Sequence, residues 1–312
     1  MDLKNEKIFI TGGAGFLGKN LIKDLYEDNE ITVYSRDESK HYFLKKKYPR
    51  VNFAIGDIRN YDLMKRKSTN HTIGIFAASL KQIDACDTNF EEASKVIIDG
   101  SFNSRRVAEE NGFKSACFIS TDKSRAATTI YGSMKYVAGE SFISHSNGDI
   151  NLSTAVYGNV MNSTGSIIPL IFEFIKENRK LTLYGKNMTR FLLTVESAIS
   201  LIKESLDYNG VNVIPNAKSF SVLDLCEIYV DQFGLKFDIG EPRIGEKIHE
   251  IMASSEEIRR MEYIKERDIF LMCPGKEFNE LNFKNDQYSS KDFMLSKEEL
   301  FKFLKEKDFY RP

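Results

Sequence analysis

A short apolar run from Lys7 to Thr11 passes straight into a loop carrying Gly12, Gly13, Gly15 and Gly18, and an amphipathic helix is predicted from Phe16 to Asn29. That succession limits the possible folds more than any other feature of the chain. Backbone N–H groups can approach an anion only where side chains are absent, and a helix N-terminus adds a favourable dipole. Strand, glycine turn and helix together therefore make a diphosphate cradle. Gly12, Gly15, Phe16, Leu17 and Gly18 are its candidate cofactor contacts. A glycine pattern alone is also compatible with an ordinary turn.

A second strand, Glu30 to Tyr34, strengthens the cradle reading and ends in Ser35, Arg36 and Asp37. The end of this strand meets an adenosine ribose, where an acidic residue favours the free hydroxyl and an arginine accommodates a 2′-phosphate. Ser35 and Arg36 come first, so NADP is expected rather than NAD, although Arg36 also reads as a plain surface charge. A third strand, Val51 to Ile55, leads to Gly56, Asp57 and Ile58, with Asp57 placed to meet the adenine amino edge. Thr72 to Ala77 and Ser115 to Ser120 are further strands, separated by a helical stretch from Phe90 to Asn111. This alternation predicts an α/β fold built on a doubly wound parallel sheet. Ala77, Ala78 and Lys81 follow the fourth strand, and Lys81 can touch cofactor, substrate or water.

The chemistry is concentrated in Ser120-Thr121-Asp122-Lys123 and Tyr131-Gly132-Ser133-Met134-Lys135. The first segment lies just beyond a strand, on the sheet edge where ligands bind. Tyr131 and Lys135 share a face at the start of a helix predicted to run to about His145. A tyrosine there can take a hydroxyl proton during hydride transfer if a cation lowers its pKa from ~10, and Lys135 supplies that cation. Loss of water needs two further groups. Asp122 is suited to be the acid at C6 of a hexose and Lys123 the base at C5, the latter requiring a lowered pKa. A loop ion pair between them is the competing reading.

In the second half, Asn151 to Tyr157 is a strand followed by Gly158 and Asn159, a candidate sugar or phosphate contact. A helix is expected from Ser166 to Glu177, strands at Leu181 to Tyr184 and Met188 to Leu193, and a helix from Thr194 to Asp207. Val211 to Ile214 resumes the sheet, and a helix covers Val222 to Phe233. The charged region Glu256 to Asp268 is expected to contain an exposed helix, Asp286 to Ser290 reads as a loop, and Leu295 to Asp308 as a terminal helix. Thr121, Asn159, Thr189, Arg190, Arg243 and Glu246, with Lys81, are the candidate substrate contacts, since arginine binds diphosphate bidentately and glutamate accepts from ribose. The expected division is residues 1–160 for cofactor and 161–312 for a smaller lobe, with 192–215 returning to the main sheet.

The charge balance narrows the partners. Lys and Arg number 44 against 45 acidic residues, so no global basic field exists for nucleic acid. No apolar run is long enough for membrane insertion, and the N-terminal stretch has no leader pattern, so a cytoplasmic location is expected. Cys86, Cys117, Cys226 and Cys273 are scattered, as are the four histidines, and no metal site is expected.

At these residues the chain resembles the extended short-chain dehydrogenase/reductase superfamily. More closely, it resembles the inverting UDP-N-acetylglucosamine 4,6-dehydratases of the polysaccharide biosynthesis family. The likeness runs nearly end to end, through ITGGAGFLGK from Ile10, VYSRDE from Val33, IGDIR from Ile55, STDK from Ser120, YGSMK from Tyr131, YGNV from Tyr157, MTRF from Met188 and GEKIHE from Gly245. It implies a Rossmann-like sheet with a smaller interleaved α/β substrate-binding lobe and a tightly bound, recycled NADP. It also implies a UDP-sugar substrate and a homo-oligomer, either dimer or hexamer. In that family Tyr131 would begin C4 oxidation, Lys123 would take the C5 proton and Asp122 would help expel the C6 hydroxyl. The chain departs from the family at Arg125-Ala126-Ala127, at Ile97 and at Thr164. These departures keep a C5 epimerase or 4-keto reductase of the same superfamily in view.

Overall fold

The computed structural model describes residues 3–144, 149–243, 245–278, 281, 283 and 286–310. Seven strands form one parallel sheet: β1 (Lys7–Thr11), β2 (Glu30–Ser35), β3 (Asn52–Ile55), β4 (Ile73–Phe76), β5 (Ser115–Ile119), β6 (Asn151–Ala155) and β7 (Val211–Pro215). The hairpin β8 (Met261–Ile264) and β9 (Ile269–Met272) extends it antiparallel, giving the order β8-β9-β7-β6-β5-β4-β1-β2-β3. The order reverses between β1 and β4, which opens a crevice at their carboxyl ends, the expected ligand position in a doubly wound sheet.

Burial on both faces explains why these strands are nearly all apolar. Successive side chains of β1 point to opposite sides. Ile8 and Ile10 join one core with Leu21, Ile22, Ala198 and Ile202, while Phe9 joins the other with Tyr34, Phe76, Phe118 and Phe142. The fold is α/β and Rossmann-like, with a smaller lobe that interleaves with the sheet in sequence. Its own core gathers Ile168, Ile171, Leu183, Phe220, Leu225 and Tyr229, with Leu300 and Leu304 of the helix Lys297–Glu306 packed against them.

Several boundaries differ from expectation for identifiable reasons. The first helix stops at Leu25, where Asn29 donates from Nδ2 to the Leu25 carbonyl and closes the end. The helical stretch after Phe90 widens to π geometry at Lys95–Asp99 before continuing over Gly100–Glu110. Of the exposed helix expected within Glu256–Asp268, only the short Ser255–Ile258 is formed, with Glu257 and Ile258 buried, and β8 and β9 follow because Ile269 to Met272 are buried against β7. Likewise Tyr288–Ser289 pairs with Ile251–Ala253 where a loop was expected. The helix Ile130–Ile143 starts as expected, while its expected end at His145 lies outside the described residues.

Candidate active site

The crevice is a cleft of about 830 Å³. Of the expected cofactor contacts, Gly12, Gly15, Phe16, Leu17, Gly18, Ser35, Arg36, Asp57, Ile58, Ala77, Ala78, Lys81, Tyr131 and Lys135 all line it. Two glycines show why nothing larger fits. Gly12 has φ +70, and a Cβ there would meet the Ala78 nitrogen at 2.8 Å. A Cβ on Gly18 would lie 2.3 Å from Cα of Gly13, so only glycine lets the helix N-terminus reach the strand end. The open cradle and the helix dipole fit a dinucleotide diphosphate.

At the ribose end, Asp37 is engaged. It caps the next helix by accepting from the Lys40 backbone at 3.0 Å and pairs with Lys40 Nζ at 2.7 Å. Asp57 accepts three hydrogen bonds from Arg59, with Arg36 3.8 Å away, so these cations hold its carboxyl below the usual range. In the π turn Val96 lines the cleft, while Ile97 is packed into the core.

The segment expected to carry the chemistry is a single tight turn, Asp122–Ser124, immediately beyond β5. Thr121 caps it, accepting from the Lys123 backbone and donating to Asp122 Oδ1 at 3.0 Å. Lys123 Nζ lies 3.2 Å from Asp122 Oδ1 and 3.1 Å from Glu250 Oε1. Glu250 in turn faces Arg190 Nε at 3.5 Å, and Arg190 pairs with Glu246 at 2.9 Å. The result is a buried chain of alternating charge. Asp122 is fully buried, and its Oδ2 has no hydrogen-bond partner among the described residues. A Cβ on Gly158 would meet that oxygen at 2.7 Å, so the glycine leaves it room.

The electrostatics separate the two carboxylates. Burial raises the Asp122 pKa, Glu250 adds to the shift, and Lys123 opposes it without cancelling it. Burial also pushes Glu250 up, but Lys123 and Arg190 outweigh it and hold Glu250 below its ordinary value. Glu250 is thus shifted toward the anion and Asp122 toward the protonated carboxyl. For Lys123, burial favours the neutral amine, but Asp122 and Glu250 together raise it above the ordinary ammonium range. The lowered pKa that a lysine base requires is not present in this resting arrangement.

Tyr131 is pushed up to about 12 by burial, with Lys123 opposing the shift. Thr129 caps its helix, accepting from the Gly132 backbone at 3.1 Å. Lys135 Nζ donates to the Ile119 carbonyl at 2.7 Å and lies over the Phe118 ring. Burial lowers its pKa to about 7. The unfolded chain then binds the Lys135 proton more tightly than the folded one, so stability rises with pH from about 7 toward the ordinary lysine value. Lys135→Met is expected to be more stable than the parent at pH 6.5, with the advantage shrinking by pH 9.5, in urea unfolding at the two pH values.

Asn159 and Lys81 also line an adjoining cleft of about 300 Å³ together with Thr164, Arg243 and Glu246. Lys81 Nζ donates to the Thr164 carbonyl, and Arg243 stacks over the Tyr184 ring at 4.1 Å. Thr121 lines the main cleft. Thr189 and Arg190 stand behind these surfaces. The Thr189 hydroxyl is bonded to His249 and Ser290, and Arg190 is also held by the carbonyls of Thr189, Lys247 and Ile248. Sequence reasoning missed Glu250 and Ser120. The hydroxyl of Ser120 is buried beside the cleft without a partner among the described residues. Glu250 closes the GEKIHE segment, but nothing in its spacing marks it as a partner of Lys123. Among the described residues, no group of His, Cys, Asp or Glu could hold a metal ion, and no helix is long and apolar enough to cross a membrane.

The family model described as polysaccharide biosynthesis protein matches residues 8–271. A protein of Methanocaldococcus jannaschii named as an uncharacterized membrane protein is 32% identical, covering 97% of this chain and 96% of its own length. A Campylobacter jejuni protein named UDP-N-acetylglucosamine 4,6-dehydratase (inverting) is 32% identical over 81% of this chain and 78% of its own. A Rickettsia bellii protein named UDP-glucose 4-epimerase is 31% identical over 83% and 80%. The solved structure of Pen from Bacillus thuringiensis superposes with a TM-score of 0.90 at 28% identity, covering 99% of this chain and all of that one.

Proposed function

The chain belongs to the polysaccharide biosynthesis protein family, and from that premise we propose that it is an NADP-dependent UDP-N-acetylglucosamine 4,6-dehydratase that inverts C5. The observation that carries this reading is the buried Asp122–Lys123–Glu250 cluster set beside Tyr131 at the cleft. Loss of water calls on a carboxyl and a lysine held together there, whereas hydride transfer alone does not call on them. Ser35 and Arg36 facing the cleft, with Asp37 occupied by Lys40, support NADP. Arg243 and Glu246 in the adjoining cleft support a nucleoside diphosphate.

Bound NADP would accept a hydride from C4 of the sugar and return it to C6. Tyr131 takes the C4 hydroxyl proton, and its high resting pKa means that Lys123 and Lys135 must favour the phenolate once substrate excludes water. Lys123 becomes a base by passing its proton to Glu250 across 3.1 Å, a transfer that leaves two neutral groups where a buried ion pair stood. It then takes the C5 proton. Asp122, whose carboxyl is shifted toward the protonated form by burial, gives its proton to the C6 hydroxyl, which leaves as water. Afterwards Lys123 passes a proton to Asp122 and regains one from Glu250, restoring the starting state. The proton taken by Tyr131 is released to solvent, which returns Tyr131 to its starting state, and solvent delivers one proton to C5 on the opposite face.

The test is a proton NMR time course with UDP-N-acetylglucosamine and catalytic NADP in deuterated water. A new C6 methyl signal with deuterium at C5 is expected, and ring couplings report the configuration. A second reading, a C5 epimerase or 4-keto reductase, is favoured by the cationic resting state of Lys123. It predicts C5 exchange without a methyl signal, or stoichiometric NADPH consumption with a keto sugar.

A further inference from the structure

Ser35 ends β2 and lines the cleft, and its hydroxyl oxygen lies 2.6 Å from Nε2 of His41. His41 belongs to the helix Glu38–Lys47 and is only 4% exposed, its ring against Phe53 with centroids 5.1 Å apart. Its other nitrogen, Nδ1, is buried with no hydrogen-bond partner among the described residues. That pattern selects a tautomer. A neutral imidazole carries one N–H and one bare nitrogen, and a buried orphan N–H is rarer and costlier than a buried bare lone pair. Nε2 therefore holds the hydrogen and donates it to Ser35. Burial lowers the His41 pKa, with Asp37 opposing, which agrees with a neutral ring.

A serine hydroxyl that accepts from a residue behind it keeps its own hydrogen for the other side. On that side Arg36 and Lys40 also line the cleft, and both are donors only. We propose that His41 is a specificity-determining residue that acts through Ser35, fixing its hydroxyl as a donor toward the cleft and so favouring a cofactor ribose that carries a 2′-phosphate. A phosphate offers acceptor oxygens alone, whereas a ribose hydroxyl selects best against a carboxylate acceptor, and the nearby Asp37 is engaged by Lys40. The inference rests on the proposed use of NADP.

The experiment is isothermal titration of the full chain with adenosine 2′,5′-bisphosphate and with adenosine 5′-monophosphate, which differ only in the 2′-phosphate. The parent is expected to prefer the bisphosphate, and Ser35→Ala to lower that preference by about 10-fold. His41→Leu, which conserves apolar volume against Phe53, is expected to cause a similar loss while leaving the monophosphate affinity unchanged. His41→Gln, whose amide can still donate to Ser35, retains most of the preference. The Ser35→Ala/His41→Leu double variant shows no further loss. A parent with no preference overturns the NADP reading and the inference with it. A preference that survives His41→Leu overturns the inference alone. Equal weakening of both ligands by His41→Leu also overturns it, because a purely structural residue behaves that way. Should His41→Leu fail to fold, an unchanged preference in Ser35→Ala has the same force.

Discussion

Lys123→Met is expected to lower dehydration by about 10²–10⁴-fold while leaving cofactor affinity within a factor of about two. The side chain bridges Asp122 and Glu250 and lines the cleft, and it belongs to a segment separate from the glycine loop. Its loss removes the amine placed between those two carboxylates. Single-turnover NMR and titration with NADP check the two halves of the expectation separately. Turnover equal to the parent would remove Lys123 from the mechanism. Glu250→Gln distinguishes a base from a mere cation in the same assay. That change leaves Lys123 in place but takes away its proton acceptor, so turnover should fall by at least about 10-fold if the acceptor matters. If Lys123 served only as a positive charge, Glu250→Gln would leave the rate near the parent value.

The largest stability effect is expected at Arg125→Met, at about 3–5 kcal/mol. Arg125 is 2% exposed, and its Nη1 lies 2.9 Å from both Glu140 Oε1 and Glu257 Oε1. Glu140 also accepts from Asn212, and the Arg125 carbonyl accepts from Lys247. Removing the guanidinium leaves the buried Glu257 carboxylate facing the half-buried Glu140 carboxylate without a cation, a greater penalty than the value of the pair itself. Urea unfolding should show a lower midpoint with an unchanged slope. Adding Glu140→Gln and Glu257→Gln should recover part of the loss, because the stranded charges are then gone. Arg125 directly follows the Asp122–Ser124 turn, so the same change is expected to loosen the catalytic segment. The departure from the family at Arg125 thus replaces one local sequence with a buried anchor between the helix Ile130–Ile143 and the helix Ser255–Ile258.

The nucleotide half was legible because its signals are local. The apolar run of β1, the glycines after it and the helix beyond them are neighbours in sequence, and the strand period alone assigns Ile8 and Phe9 to opposite cores. Tyr131 and Lys135 share a helix face by spacing, and Asp122 adjoins Lys123 by adjacency. Every expected cofactor contact accordingly lies on one cleft. The region after Glu250 was less legible. Its charges gave the pattern of an exposed helix, but the edge of β7 offered Ile269 to Met272 a buried partner, and tertiary burial overrode the local pattern.

By itself the sequence determined the alternation of strands and helices in the nucleotide half, the glycine cradle, and the closeness along the chain of Asp122, Lys123, Tyr131 and Lys135. Only the tertiary structure decided which way their pKa values move. It brought Glu250 and Arg190 against Lys123, raised Lys123 where the chemistry had asked for a lowered value, and raised the buried Asp122. It also placed His41 behind Ser35. The physical reason is that helix and strand periods act between neighbours in the chain. Desolvation and Coulomb interaction instead depend on distances through a low-dielectric interior, and these exist only once remote segments have packed together.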